Sequence, residues 1–422
     1  MKKTILIVVS LVTSMRLLSV TIDECLSKAE ANYPLVKKYA LLEQTSAIDV
    51  DNIGKEWFPQ ITLSAQATLQ NRVLTLPGTL NTIFAAQGLD MKGLRKDQYK
   101  VGVDVTQTIY DGGVIGERKK AAMAQAEVDK AETDVSLYAV RQRVVDLYFT
   151  VLMIDNNVSQ INDMVSLLKS SEDKLQSMAR HGTAAESDYQ GVKAERIGTE
   201  QKLAELESQR RQVMMLLSAF CGEEVVKVEM PAEPNIATDN KRPELRLIDS
   251  RLRQIDASER LLNTAYRPRL ALFATGYYGY PGFDMYDDMF HHKWTLNGMI
   301  GAKLTWNISA LFTRKNDKLR LKVQRSILEN SRDVFLFNNR LEQIGEDEQA
   351  MRYETLMKSD KEIVELRTSV RKAAESKLAH GIIDVNDLLK EINGENAAKI
   401  QLASHRIERL KCLWDKKITT NN

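Results

Sequence analysis

Proline, cysteine and long apolar runs are all scarce in this chain of 422 residues. Its 8 prolines leave residues 112–221 without one, and residues 117–181 also lack glycine. Because proline and glycine are the strongest helix breakers, these gaps predict unusually long helices. The three cysteines, Cys25, Cys221 and Cys412, form no CxxC motif, so each is predicted to be a buried thiol rather than a zinc ligand.

The charge balance gives no reason to expect nucleic acid as a partner, since the formal net charge is only +2. The sequence also contains no HExxH, GxSxG, phosphate-loop or dinucleotide-binding motif. We therefore expect no catalytic residues, no cofactor and no metal, and a protein that is not an enzyme.

The N-terminus has the composition of an export signal. Met1-Lys2-Lys3 precedes an apolar run from Ile5 to Val12, which is too short to span a membrane. These features predict a signal peptide over residues 1–20 and export from the cytoplasm.

Four stretches alternate apolar and polar residues at every second position, which predicts strands with one face of each kind. They cover residues 61–70, 99–106, 270–280 and 294–306. They are 8 to 13 residues long, close to the length at which a tilted strand crosses a bilayer. Residues 71–96 and 281–292 are predicted to be loops between the strands, with His291 and His292 solvated.

Two long helical hairpins follow the strand pairs. The first is predicted from about Val114 to Ala179, roughly 100 Å at 1.5 Å per residue, and returns over residues 185–220. Alternating three- and four-residue steps define a heptad seam along it, which predicts coiled-coil packing. The seam consists of Ala121, Ala124, Val128, Ala131, Val135, Tyr138, Val145, Phe149 and Leu152, with Gln142 as its one polar member. Thr183 and Glu186 have the spacing of a capping box for the returning helix.

The second half of the chain repeats the design of the first. His380-Gly381 follows His181-Gly182 by 199 positions, whereas Pro268 follows Pro59 by 209. The repeat has therefore lost ten positions from the loop between strands and none along the hairpin. We predict a first repeat over residues 21–230, a linker over 231–242 and a second repeat over 243–422.

The predicted fold class is mainly α with membrane β. Four strands cannot close a barrel, because the smallest closed membrane barrels have eight. An open sheet edge is not tolerated in lipid, so several chains must share one barrel.

The order of elements and three segments resemble the TolC-type outer membrane efflux proteins. The segments are Gln107-Thr108-Ile109-Tyr110-Asp111-Gly112-Gly113, His181-Gly182-Thr183 and His380-Gly381-Ile382. The resemblance runs from Thr21 onward. It implies a homotrimer with a twelve-stranded barrel in the outer membrane of a Gram-negative bacterium and a helical tunnel in the periplasm. It also implies a passive exit duct of a tripartite efflux pump, whose partners are a periplasmic adaptor and an inner-membrane pump.

The resemblance assigns roles to residues at the two hairpin turns. By this resemblance, the residues that contact the adaptor are Gly182, Thr183, Ala184, Gly381, Ile382 and Ile383. By the same resemblance, the residues that narrow the periplasmic entrance are Asp188, Asp384 and Asp387. From the residues alone, the two glycines also fit helix C-caps, and the three acids also fit helix starts, where carboxylates complement the dipole. Lys390 and Ile383 depart from the charges that the family carries around its entrance.

Two other functions are compatible with parts of this pattern. The exit duct of a type I protein secretion system would use the same fold. A soluble periplasmic coiled-coil adaptor or scaffold would instead have one hairpin flanked by compact β-domains. The two hairpins, each preceded by a pair of strands, favour a duct.

Overall fold

A computed structural model describes residues 20–89, 93–236 and 239–421 of the chain. Of the predicted signal peptide, all but Val20 lies outside the described residues. The elements, in chain order, are α1 (Ile22–Asn32), α2 (Lys37–Lys55), β1 (Gln60–Leu69), α3 (Gly78–Ala86), β2 (Asp97–Tyr110), α4 (Val114–Arg180), α5 (Glu186–Cys221), α6 (Pro243–Thr264), β3 (Arg269–Tyr280), α7 (Met285–His291), β4 (Thr295–Thr305), α8 (Ala310–Ala379) and α9 (Val385–Thr420). A short 3₁₀ turn, Pro34–Val36, lies between α1 and α2.

The four predicted strands and both long hairpins are confirmed. α4 has 67 residues and ends one residue beyond its predicted bound, and α8 has 70 residues. Two elements were missed, because both stretches between strands were predicted to be loops without helices. Each contains a short helix, α3 of 9 residues and α7 of 7 residues. Helices this short carry too few turns to produce a recognisable apolar period.

The chain divides into two compact units, each containing parts of both sequence repeats. The sheet unit contains Ala40–Lys130 and Ile248–Asn330. The hairpin unit contains the described residues up to Tyr39, together with Ala131–Leu247 and the described residues from Ser331 onward.

In the sheet unit, the strands form one antiparallel sheet in the order β1-β2-β3-β4. Its register places apolar residues opposite apolar residues: Ile61 pairs with Val105, Val105 with Ala274, and Ala274 with Ile300. Side chains on this face are strongly exposed, at 74% for Leu63, 82% for Leu296 and 81% for Ile300. The predicted two-faced sheet is therefore confirmed, with its apolar face uncovered in the single chain.

The opposite face of the sheet carries polar contacts between strands. Thr275 Oγ1 donates to Asp104 Oδ1 at 2.7 Å, and Lys100 Nζ lies 4.9 Å from the centre of the Tyr277 ring. Alternation at every second residue thus separates an apolar from a mainly polar surface, with Phe273 and Met299 as apolar residues on the polar side.

The segments after β1 and β3 pack on each other within the sheet unit. Leu94, Tyr280 and Met289 form a small buried cluster there. Tyr280 Oη accepts from the Arg95 amide at 2.9 Å, and His292 Nε2 lies 2.6 Å from the Gly93 carbonyl oxygen. The prediction that His292 is merely solvated is therefore wrong, since a contact with the other loop holds its ring.

The junction between β2 and α4 is fixed by side-chain capping. The Asp111 carboxylate accepts from the amides of Gly113 at 2.8 Å and Ile115 at 2.6 Å, which satisfies donors that a helix start leaves unpaired. Gly112 has φ of 74°, and a Cβ there would lie 2.9 Å from Arg267 Cβ. Arg267 Nη1 also donates to the Gly112 carbonyl oxygen at 3.1 Å, so the start of the second strand pair packs on this junction.

In the hairpin unit, the main core joins α1, α4, α5 and α9. The predicted seam of α4 contributes Tyr138, Val145, Phe149 and Leu152, all buried. Its polar member, Gln142, donates to Asp415 of α9 at 2.9 Å. The three cysteines are buried free thiols, as predicted.

None of the helices in the described ranges is both long enough and apolar enough to cross a membrane.

We expect Gly112→Ala to destabilise the protein by about 1–3 kcal/mol, because alanine is strained at positive φ and its Cβ would press on Arg267. The measurement is the thermal unfolding midpoint of the purified protein in detergent. The matched control is Gly116→Ala, in the first turn of α4, where a Cβ meets nothing within 4 Å. This control should be neutral or stabilising by up to about 1 kcal/mol, and equal midpoints for the two variants would contradict the assigned role of Gly112.

Candidate functional site

The two hairpin turns end their long helices with the same backbone geometry. Gly182 has φ of 70° and Gly381 has φ of 72°. The amide after each glycine donates back to the helix, Thr183 N to Met178 O at 2.8 Å and Ile382 N to Lys377 O at 2.9 Å. This is the Schellman arrangement, in which glycine supplies the left-handed conformation.

A histidine precedes each of these glycines and closes the helix end. His181 Nδ1 lies 2.7 Å from Ser177 O, and His380 Nδ1 lies 2.8 Å from Ser376 O. Because a carbonyl oxygen can only accept, each Nδ1 carries the proton in this contact. The pair therefore acts as polar helix ends, and across the described residues no group of three or more potential ligands is arranged to hold a metal ion.

The helices that leave the two turns begin differently. The predicted capping box is wrong, because α5 begins at Glu186 with Ala185 as its N-cap and has no side-chain cap. Thr183 lies too early in the chain, and its Oγ1 instead donates to Met178 O at 3.0 Å. In the second turn, Asp384 is a true N-cap that accepts from the Asp387 amide at 2.9 Å.

The six turn residues assigned to adaptor contact separate into an outward set and an inward set. Gly182, Thr183, Gly381 and Ile382 are exposed, and the Ile382 side chain is 69% exposed despite being apolar. Ala184 and Ile383 are half-buried and pack against a core beneath the turns. Only the outward set is free to contact another protein without rearrangement.

That core joins both hairpins, so the two turns belong to one packed structure. Its buried members are Met164, Leu168, Leu175, Val192, Ala374, Val385, Leu388 and Ile392. They come from α4, α5, α8 and α9. An amide contact adds to this packing, since Asn393 Nδ2 donates to Glu195 Oε1 at 3.1 Å.

The three acids assigned to the entrance lie in the first turns of the returning helices or at their caps. Asp188 is half-buried in α5, whereas Asp384 and Asp387 are exposed. In the described part of the chain no ion pair is formed by any of the three. The Asp384 carboxylate is already used as a cap, which leaves Asp387 as the most available negative charge at the second turn.

A buried ionic cluster near the turns was not anticipated from the sequence. Glu395 is 3% exposed and accepts from Thr368 Oγ1 at 2.8 Å, Lys399 Nζ at 2.9 Å and the Arg371 guanidinium. Burial acts to raise the pKa of Glu395, but these donors outweigh it and hold the pKa below its usual value. The cluster fixes α9 against α8. Only the four-residue spacing of Glu395 and Lys399 was visible in the sequence.

Comparison with known families finds a match in the first half of the chain. Residues 25–223, slightly less than half of the sequence, match the family model described as outer membrane efflux protein. The first half of the chain thus resembles the outer membrane efflux proteins, and this match supports the prediction of an efflux channel. No curated protein sequence matches the chain.

Solved channels share its fold over nearly the whole chain. The outer-membrane channel OprN matches with a TM-score of 0.66 and 14% identity, over 94% of this chain and 89% of its own. VceC of Vibrio cholerae matches with a TM-score of 0.64 and 12% identity, over 94% of this chain and 94% of its own. MtrE of Neisseria gonorrhoeae in its open state matches with a TM-score of 0.64 and 13% identity, over 95% of this chain and 89% of its own. At such identities the likeness concerns the fold alone, and it confirms the predicted fold class.

We expect Asp384→Ala to destabilise the second turn by about 1 kcal/mol, whereas Asp384→Asn should cost little because asparagine caps equally well. Hydrogen exchange of the amides at the start of α9 is the measurement. Asp387→Ala serves as the control, since its side chain is exposed and accepts no cap bond there. Equal exchange in Asp384→Ala and wild type would contradict the capping role.

Proposed function

We propose that this chain is an outer membrane efflux protein and forms a homotrimeric channel-tunnel, with a shared twelve-stranded barrel in the outer membrane and helical hairpins in the periplasm. It acts as the passive exit duct of a tripartite efflux pump and docks through its hairpin turns onto a periplasmic adaptor joined to an inner-membrane pump. The observation that carries the proposal is apolar surface that the single chain leaves uncovered.

The exposed seam of α8 is the main part of that surface. In the hairpin unit, Val334, Phe337, Leu341 and Ile344 follow three- and four-residue steps and are each more than half exposed. Over its 70 residues α8 buries only Asn339, Ala350, Asp360 and Ala374. The equivalent seam of α4 is buried inside the chain. A seam of this kind in water favours helix packing with another copy.

The sheet supports the same proposal from a different observation. Its apolar face is exposed and its other face is polar, as in a barrel wall between lipid and water. The outer edges of β1 and β4 have no strand partner in the described chain. Edges of this kind are not tolerated in lipid, and three copies joined edge to edge supply the twelve strands of one closed barrel.

We expect Phe337→Glu and Leu341→Glu to abolish the oligomer, because each buries a charge in the proposed interface. Outer membrane fractions run on an unheated gel should contain a heat-modifiable oligomer for wild type and a monomer for these variants. The control is Asn338→Glu, which adds the same charge at an exposed position beside Phe337. A soluble periplasmic monomer for the wild-type protein would refute the proposed function.

Docking is assigned to the outward set of turn residues, and Ile382 offers the largest exposed apolar side chain in it. We expect Ile382→Asp to reduce efflux at least tenfold in cells that depend on this protein, because a desolvated charge would oppose contact with the adaptor. Efflux of a fluorescent substrate is the measurement, with the amount of oligomer in the outer membrane checked in parallel. Gln190→Asp, an exposed change near the first turn, is the control. Normal efflux in Ile382→Asp would exclude this contact.

The entrance is assigned to Asp387, which is exposed and free of ion pairs within the described chain. If Asp387 lines the narrowest part, Asp387→Asn should weaken block by divalent cations several-fold and change single-channel conductance in planar bilayers. Asp173→Asn on the exposed surface of α4 removes the same charge elsewhere and should leave both unchanged. Identical block in wild type and Asp387→Asn would assign the constriction to other residues.

A further inference from the structure

Two of the three cysteines meet in the core of the hairpin unit, although 196 residues separate them in sequence. Cys25 on α1 is 0% exposed, and Cys221 at the end of α5 is 5% exposed. The Cys221 thiol donates to the Cys25 carbonyl oxygen, with Sγ 3.9 Å from that oxygen, so the two cysteines are in direct contact. The N-terminal helix and the end of the first hairpin thus present a matched pair of thiols.

Contacts on both sides of the pair hold α1 against the end of α5. Asn32 Nδ2 donates to the carbonyl oxygens of Ala219 and Phe220, each at 3.2 Å. On the other side, the Val20 amide donates to Lys227 O at 3.0 Å. The positions of the two cysteines are therefore fixed by packing that does not depend on a bond between them.

We propose that Cys25 and Cys221 are oxidised to a disulfide in the exported protein, which links the N-terminal helix covalently to the end of the first hairpin. Disulfides form and persist in oxidising compartments, of which the bacterial periplasm is one. The proposal depends on export alone and is independent of the proposed pump partners.

The oxidant is a protein disulfide, and the reaction is two thiol–disulfide exchanges. One chain thiolate attacks the oxidant, forming a mixed disulfide and releasing one oxidant thiolate. The second chain thiolate then attacks the chain sulfur of that mixed disulfide, forming the Cys25–Cys221 bond and releasing the second oxidant thiolate. Each released thiolate takes the proton that a chain thiol lost. Two chain thiols are oxidised and one oxidant disulfide is reduced.

Because the two thiols are buried in the folded protein, the thiol–disulfide exchange must take place before folding is complete. In the packed pair, the hydrogen bond with Cys221 and burial both raise the pKa of the Cys25 thiol, and no face of it is open to an oxidant. Oxidation therefore precedes the packing of α1. Cys412 provides an internal comparison, because it is buried against Gln349 with Sγ 3.7 Å from its Oε1 and has no thiol neighbour in the described structure.

The direct test counts thiols in the full-length protein from intact cells. Cells are denatured in acid, free thiols are blocked with N-ethylmaleimide, and thiols that appear after reduction are labelled with a polyethylene-glycol maleimide. Wild type and Cys412→Ser should each gain two labels after reduction, and Cys25→Ser and Cys221→Ser should gain none. No gain in wild type, a gain that depends on Cys412, or a linked dimer on a non-reducing gel would overturn the proposal.

A stability measurement gives the second test. Closing so long a loop constrains the unfolded chain, so reductant should lower the thermal midpoint of wild type by several degrees. It should leave the midpoint of Cys221→Ser unchanged. An equal shift in both proteins, or none in either, would count against the bond. If the serine variants do not fold, the thiol count of wild type still decides the question.

Discussion

Apolar surface that one chain cannot bury by itself is the constraint on which the remaining features depend. α4 buries its seam against α1, α5 and α9, so these apolar side chains stabilise the single chain. α8 has the same design and nearly the same length, yet its seam lies in solvent. The two repeats thus share a sequence pattern, but the seam of α4 is buried by other helices of the chain and the seam of α8 is exposed. One repeat therefore contributes its apolar seam to the core of the chain, and the other leaves its seam exposed.

The hairpin turns show how far the duplication is maintained at the level of single bonds. Both end a helix with a histidine, a left-handed glycine and the same pair of amide contacts. They diverge immediately afterwards, because Asp384 caps α9 whereas Ala185 starts α5 without a side-chain cap. The second turn is therefore the more rigidly defined one. It also carries the exposed Ile382 and the exposed Asp387, which forms no ion pair within the described residues, so both proposed contacts involve this turn.

Much of the fold was predictable because its regular apolar patterns extend over many residues and few helix-breaking residues interrupt them. Alternation located all four strands, and the absence of proline with the near absence of glycine located both long helices. The predictions failed where a contact joins distant segments. α3 and α7 lie in loops that fold on each other around Tyr280, and His292 is held by Gly93 in the other loop.

The candidate site was predictable in position more than in detail. The turns were found from the repeat, but the inward orientation of Ala184 and Ile383 depends on a core built by four helices. The Glu395 cluster joins residues 24 and 27 positions apart on different helices, and the Cys25–Cys221 contact spans 196. No local pattern encodes pairs so far apart, since only the folded chain brings them together.

The order of strands in the sheet has a consequence for symmetry. The two free edges belong to different strands, β1 and β4, so joining copies edge to edge makes a heterologous contact. Contacts of this kind form a closed ring when the rotation between copies closes, as in the proposed barrel, and they cannot be satisfied by a two-fold pair facing itself. Every copy then uses each edge once, and any substitution at an edge strand is repeated at every seam of the ring. Such substitutions should therefore act on assembly more steeply than their effect on the isolated chain suggests.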